Sequence, residues 1–171
     1  MSTPIAETAG ALAGPAWLRA RRSAAAERFA ASPLPTPEEE VWRYSRIAEL
    51  DLAAFAPAPG TAEAVAPSAP PLLAGEGAGV TVTVVDGAVR VGELPADWVA
   101  KGGVVTTADH LDDADVAGLG AVAGAGPDAF ATLNDALCAH PVVVIVPRGV
   151  RLDAPILVVN QKAKIFEMES E

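Results

Sequence analysis

The sequence predicts an α+β protein in which a helical N-terminal region and a β-hairpin lead into the first coils of a β-solenoid. Apolar residues recur at helical spacing over residues 15–31. Alternating strand patterns flank an Asp-Gly turn at residues 86–87, a strong hairpin signal. Two short apolar strands at 142–146 and 155–160 lie too close together for a helical crossover and suit solenoid coils. A solenoid core needs at least about three repeats, so we expect a truncated one.

Composition divides the chain into six segments. We expect a disordered N-terminus, a helical region, a linker rich in Pro, Ala and Gly, an α/β region with the hairpin, the start of the solenoid core, and an atypical ionic tail. The linker follows from five prolines among small residues, a composition typical of extended spacers. In chain order these segments are residues 1–14, 15–55, 56–79, 80–140, 141–160 and 161–171.

The helical region is predicted as two helices joined by a Pro-containing turn. The first begins at Pro15 and ends near Ala31, and its arginines at 19, 21 and 22 are expected to form a solvated face. Its apolar side is expected to carry Trp17, Leu18, Ala24, Ala25 and Phe29.

The second helix is predicted over residues 37–50 because a helix-start signal precedes it. Thr36 is the predicted N-cap, Pro37 takes the first helical position, and Glu39 falls three residues after the cap. This is the capping-box spacing, in which each of the two side chains bonds to a backbone N–H group.

The same segment holds the only tyrosine of the chain and one of its three tryptophans. Trp42, Arg43 and Tyr44 admit two interpretations. They dock the segment on the protein's own core, or they form a protein-binding surface, since these residue types anchor interfaces.

The later elements follow from strand alternation and helical spacing. A further strand is predicted near 104–106 and a flexible Gly/Ala loop over 118–126. The strand at 142–146 is a continuous apolar run, as expected when both faces are covered. The hairpin strands are predicted at 80–85 and 88–91, and a helix at 128–139.

Charge and composition restrict the partners. The net charge is −10, and all of it arises after residue 50, so the surface repels phosphate backbones and nucleic acid is not expected to bind. No apolar run approaches the ~20 residues of a membrane span, so no membrane association is expected. One cysteine, Cys138, rules out an intramolecular disulfide and favours the cytoplasm.

No catalytic or metal-binding set emerges from the motifs. The glycines at 75–79 and 118–126 lack the phosphate-loop and dinucleotide spacings. His110 and the aspartates at 112, 113 and 115 fit neither a zinc site nor a calcium loop, and a solvated turn is expected. Cys138 and His140, two residues apart, would face away from each other on a helix, so a buried thiol is expected instead of a nucleophile. We therefore expect no enzyme and no cofactor.

Four segments, in consistent order, resemble the SufD members of the SufB/SufD family of iron–sulfur cluster assembly proteins. They are the Pro-Thr…Glu-x-Trp-Arg-Tyr-Ser run at 35–45, the hairpin at 82–91, the Asn-containing helix at 130–137, and the Pro-Arg-Gly-Val and Pro-Ile motifs within 144–156. The residues that carry the resemblance are Thr36, Glu39, Trp42, Arg43, Tyr44, Asn134, Pro147, Arg148, Gly149 and Pro155.

This resemblance implies a right-handed parallel β-helix after the helical region and a non-enzymatic scaffold role in the SUF machinery. It implies two partners, a SufB-like paralogue and a SufC-like ATPase, in a complex that assembles iron–sulfur clusters. The family's cluster-assembly residues and ATPase-docking region have no counterpart here, so we expect a truncated copy that lacks both functions.

The sequence leaves two alternatives to the scaffold function. One is a stand-alone interaction module acting through Trp42, Arg43 and Tyr44. The other is a carbohydrate-active β-helix protein, for which residues 142–160 offer only Arg148, Arg151 and Asp153 as charged groups.

Overall fold

A computed structural model describes residues 4–57, 77, 79–119 and 128–161 and confirms the α+β class. The chain divides into two compact units, each built from two separate stretches. We call residues 1–59 with 111–138 the helical unit, and residues 60–110 with 139–171 the sheet unit. The described helices are α1 (Pro4–Ala11), α2 (Ala16–Ala31), α3 (Ala96–Ala100) and α4 (Ala129–Leu137). The described strands are β1 (Val80–Val85), β2 (Ala88–Val91), β3 (Val104–Thr107), β4 (Val142–Ile145) and β5 (Ile156–Gln161).

Small side chains form the core of the helical unit, where α1, α2 and α4 pack together. Ala9, Ala25, Ala26 and Ala136 are all buried in one cluster. Alanine at these positions lets the helix backbones approach closely. The first fourteen residues were expected to be disordered, but residues 4–11 form α1, because packing of its alanine face on α2 stabilises a helix too short to persist alone.

The predicted helix over 37–50 is wrong. Three successive turns run from Thr36 to Ser45, closed by N–H···O bonds of 3.1, 2.9 and 2.9 Å between residues three apart. Short 3₁₀ helices follow at Ile47–Glu49 and Leu52–Ala54. Most helical stability comes from burying an apolar face. This segment is largely exposed, so the capping signal alone does not sustain an α-helix.

The hairpin in the sheet unit is confirmed with the predicted strand bounds. Asp86 and Gly87 both have positive φ, +47° and +85°, as a type I′ turn requires. β1 pairs antiparallel with β2 and, along its other edge, parallel with β5, where Val80 lies opposite Ile156. β3 and β4 form a separate antiparallel pair.

Trp98 of α3 is the largest buried side chain of the sheet unit and packs against Val80, Val82 and Val105. Gly79, just before β1, permits this packing. A Cβ atom at position 79 would lie 2.3 Å from the indole ring.

The two faces of β4 are not both fully covered. Val143 is buried, whereas Val144 and Val146 are exposed, so the expectation of two covered faces is wrong. Val142, on the same face as Val144, packs against the Trp98 core, but this cover does not extend to Val144 and Val146. The β-solenoid stays a prediction; β1 and β5 supply the parallel ladder seen among the described residues.

Three predicted segments lie mostly outside the described residues, namely the linker over 56–79, the glycine loop over 118–126 and the tail over 161–171. Within the described ranges, no helix is both long enough and apolar enough to cross a membrane.

Candidate functional site

The segment from Thr36 to Glu49 is the strongest candidate for a functional surface. Trp42 turns inward and its ring lies 5.4 Å from that of Phe130 on α4, at an interplanar angle of 55°. This tilted geometry is one that aromatic pairs favour. Trp42 therefore anchors the segment to the body of the helical unit.

Two of the remaining side chains of these turns are almost fully exposed. Val41 is 86% exposed and Tyr44 is 91% exposed. Both interpretations of the Trp-Arg-Tyr run thus apply in part, since Trp42 packs inward and Tyr44 points to solvent.

Two ion pairs join residues three apart in the same segment. Arg43 lies 2.7 Å from the carboxylate of Glu40, and Arg46 pairs with Glu49. The predicted capping box forms by half: the Thr36 N–H donates to Glu39 Oε1 at 2.9 Å. The Thr36 hydroxyl instead bonds to the carboxylate of Glu38, which lowers the pKa of that carboxyl below its ordinary value.

Acidic residues outnumber basic ones in this part of the chain. Residues 34–55 contain five carboxylates and two arginines, a net charge of −3. Both arginines pair with glutamates, whereas Glu38, Glu39 and Asp51 bond to neutral donors. Their three negative charges therefore remain uncompensated by these contacts.

The basic cluster on α2 is not a solvated face, and this expectation is wrong. Arg22 is fully buried. Its Nη1 donates to the Ala13 carbonyl at 2.8 Å and its Nε donates to the Cys138 carbonyl at 3.1 Å. Arg21 is half-buried and pairs with Asp135 on α4 at 3.0 Å. Of the three arginines, Arg19 alone is exposed.

The sheet unit contains a cluster of two histidines and an aspartate that was not predicted from the sequence. His110 Nδ1 lies 3.6 Å from Asp109 Oδ2, and His140 Nδ1 lies 3.5 Å from Asp109 Oδ1. The second distance exceeds a normal hydrogen bond, and within the described structure Oδ1 is buried without a hydrogen-bond partner. The sequence around His140 does not show that it lies near Asp109. Their proximity follows from the antiparallel pairing of β3 with β4, which brings the end of β3 and the start of β4 together.

Burial acts to raise the pKa of Asp109. Hydrogen bonds from the Thr107 hydroxyl and from the backbone, together with the nearby histidines, outweigh burial, so the pKa lies below its ordinary value. The Thr107 hydroxyl also lies 2.9 Å from His110 Nδ1. The cluster is thus a polar network at the end of β3.

The aspartates at 112–115 form the solvated turn that was expected. Asp112 Oδ1 accepts the N–H groups of Ala114 and Asp115 at 2.9 and 3.1 Å. In the described parts of the chain, no group of three or more His, Cys, Asp or Glu residues could hold a metal ion.

Cys138 and His140 have separate surroundings. Cys138 is half-buried at the end of α4, where its N–H donates to the Asn134 carbonyl at 2.9 Å. The Asn134 side chain is exposed. The buried thiol that was expected is therefore partly open to solvent, and His140 lies beside Asp109.

The motifs around β4 and β5 have structural contacts. Pro147 to Val150 close a turn through a 3.0 Å bond, with Gly149 at φ +81°. Arg148 and Arg151 are exposed. The carbonyl of Pro155 accepts the Gly79 N–H at 2.9 Å.

Asp153, the one carboxylate weighed for carbohydrate chemistry, lies 3.2 Å from Lys101, which also pairs with Asp97 at 3.1 Å. The Asp153 carboxylate thus has a surface ion pair with Lys101.

No protein-family model matches this chain, and no curated protein matches it significantly. The resemblance to the SufB/SufD family therefore depends on the motifs quoted above.

Proposed function

We propose that this chain is a non-enzymatic scaffold subunit of the SufD type, which acts in iron–sulfur cluster assembly by binding a SufB-like paralogue. Its proposed location is the cytoplasm. In this proposal the clusters are the cargo of the whole complex, and the chain itself holds no cofactor.

The contact between Trp42 and Phe130 carries the proposal. Trp42 belongs to the first family-like motif and Phe130 opens the helical one, and their rings lie 5.4 Å apart. Two motifs from distant parts of the chain thus meet in one aromatic pair.

The sheet unit also brings two family-like motifs into contact. The hairpin resembles one family segment and the Pro-Ile pair at 155–156 resembles another. β1 pairs with β5 in parallel, and the Gly79 N–H bonds to the Pro155 carbonyl at the start of this ladder. A parallel β-helix is built from parallel ladders, so this pairing supports the proposal that the sheet unit begins one.

Co-purification tests the proposal directly. The tagged 171-residue chain is expressed with a SufB-like paralogue and a SufC-like ATPase, and each partner is also used as bait alone. We expect the paralogue to retain the chain in a stoichiometric complex. If the paralogue retains the ATPase but not the chain, the SufD-type role is excluded.

The exposure of Val41 and Tyr44 favours a second candidate, an interaction module whose partner lies outside the SUF machinery. Exposed tyrosines are frequent interface anchors. In that case the chain binds a different protein through this segment, and the paralogue does not retain it.

A further inference from the structure

We infer that the outer edge of β5 pairs with the same strand of a second copy of this chain and so joins two copies into a dimer. The outer edge is the side of Ile156–Gln161 that faces away from β1. The two strands would run antiparallel about a two-fold axis, with Val158 opposite its counterpart in the second copy. This interaction goes beyond the proposed scaffold role and does not depend on it.

The first argument is the position of β5 in its sheet. The strand order is β2-β1-β5, so β1 covers one edge of β5, and within the described residues no strand covers the other. Alternate residues of an edge strand direct their backbone N–H and C=O groups outward, and such a row of donors and acceptors is a template for a further strand. The outer edge of β5 therefore offers backbone hydrogen bonds to another chain.

The second argument is that β5 lacks the features with which proteins block an exposed edge. Charged side chains, prolines, bulges and very short strands all hinder pairing. The run Ile-Leu-Val-Val-Asn-Gln contains neither a charge nor a proline. Its six residues pair with β1 one for one, without a bulge. The opposite end of the sheet is different, because β2 has four residues, carries the exposed Arg90 and lies next to β3.

The third argument is the apolar surface along this edge. Val158 lies opposite Val82 in the parallel ladder, so the two side chains share one face of the sheet. Val82 is fully buried in the Trp98 core, whereas Val158 is 58% exposed. The cover over this face therefore ends at β5. Directly opposite side chains of antiparallel strands lie about 5 Å apart, so the valine of a second copy would cover Val158.

The fourth argument identifies the occupant as a second copy. The described residues of the sheet unit contain five acidic and four basic side chains, so most of the net charge of −10 lies elsewhere in the chain. Repulsion between two copies is therefore smaller at this unit than at the acidic remainder. A two-fold interface is self-complementary, since each copy offers the same donors and acceptors. The uncharged β5 of a second copy matches this edge in both respects.

The test measures the oligomeric state of the full chain by sedimentation velocity over a range of micromolar concentrations. We expect a dimer whose population rises with concentration. Val158→Lys places two like charges opposite each other and should raise the dissociation constant of the dimer by about fivefold or more. Val99→Lys is the matched control, because Val99 on α3 is also 58% exposed, and it should leave the dissociation constant unchanged. Far-UV circular dichroism checks that both variants keep the wild-type fold.

Crosslinking tests the strand that forms the interface. Cys138→Ser first removes the single cysteine of the chain, and Val158→Cys or Val99→Cys is then introduced into that background. A short thiol-reactive crosslinker should join two copies through position 158. The variant with a thiol at position 99 reports chance collisions and should remain uncrosslinked.

Three outcomes would overturn the inference. A wild-type chain that stays monomeric at every concentration does not pair through β5. Equal weakening of the dimer by Val158→Lys and Val99→Lys would show that charge at any exposed site acts alike. A dimer that forms without a crosslink at position 158 has its interface elsewhere.

The proposed function is judged by a different experiment. If the SufB-like paralogue does not retain the chain but the β5 dimer behaves as expected, this inference survives without the SufD-type role. If the paralogue retains the chain and the chain alone is monomeric, the scaffold role survives and this inference falls.

Discussion

Arg22 donates from Nε to the carbonyl oxygen of Cys138 at 3.1 Å, although the two residues are 116 positions apart in the chain. The same guanidinium reaches the Ala13 carbonyl from its other side. It therefore ties the loop before α2 to the C-terminal end of α4, where a cation also complements the helix dipole. One buried side chain joins three parts of the helical unit.

Replacing this arginine should destabilise the helical unit strongly. Arg22→Met leaves two carbonyl oxygens without their donor, and an unsatisfied buried polar group costs about 1–3 kcal/mol. We expect a loss of about 2–5 kcal/mol in the free energy of unfolding, measured by urea titration. Arg19→Met, on the exposed side of the same helix, should change it by less than about 0.5 kcal/mol. Equal effects of the two substitutions would show that the buried contacts contribute nothing specific.

The aromatic pair of Trp42 and Phe130 should be energetically coupled. Each ring is replaced by alanine alone and then together, and unfolding free energies are compared in a double-mutant cycle. We expect a coupling energy of about 0.5–1.5 kcal/mol, the usual range for aromatic pairs. Strict additivity of the two substitutions would contradict the contact.

A methyl group at position 79 should disrupt the core of the sheet unit. Gly79→Ala directs a Cβ atom into the Trp98 ring, and overpacking of this kind costs about 1–3 kcal/mol. Gly10→Ala is the matched control, because Gly10 lies in α1 with open space around it. That substitution should stabilise the helix by about 0.5–1 kcal/mol. Thermal unfolding measures the two changes in stability, which should have opposite signs. If Gly79→Ala leaves stability unchanged, position 79 does not lie as close to the Trp98 ring as the structure shows.

The carboxyl group of Asp109 should contribute to acid sensitivity. Its pKa is lowered in the folded protein, so its stabilising contribution is fully present above the unfolded value of about 3.9. That contribution is lost as the pH falls through the lower, folded value. Between pH 7 and pH 3 the urea midpoint of the wild type should therefore fall more steeply than that of Asp109→Asn. Asp113→Asn, which removes an exposed carboxylate, serves as the comparison. Parallel curves for the wild type and Asp109→Asn would exclude this role.

Local signals explain which elements could be predicted from the sequence. The hairpin needs only alternating side chains and two residues that tolerate positive φ, and both properties are visible in the sequence around Asp86-Gly87. The helix at α4 likewise carries its own N-cap, since Asp128 accepts the Ala131 N–H at 2.9 Å. These elements are determined by neighbours within a few positions.

The errors arise where distant residues decide the outcome. The apolar and basic pattern of α2 gives no sign that Arg22 is buried, because its acceptors come from the loop before α2 and from the end of α4. The segment after Thr36 begins with only half of a capping box, and no apolar partner covers Val41 or Tyr44, so an α-helix does not form. The sequence could not separate the roles of Trp42 and Tyr44. The position of Phe130 decides them, because Trp42 packs against that ring while Tyr44 remains exposed.

The pairing of β1 with β5 also determines the order in which the sheet unit can be completed. A chain leaving the ribosome can close the hairpin as soon as β2 emerges, since this contact is local. The strand that covers the other edge of β1 is made only after β3, α4 and β4. Synthesis therefore includes an interval in which one edge of β1 is unpaired, and unpaired edges recruit other chains. Slow translation across this interval should lower the yield of folded protein more than slow translation after β5.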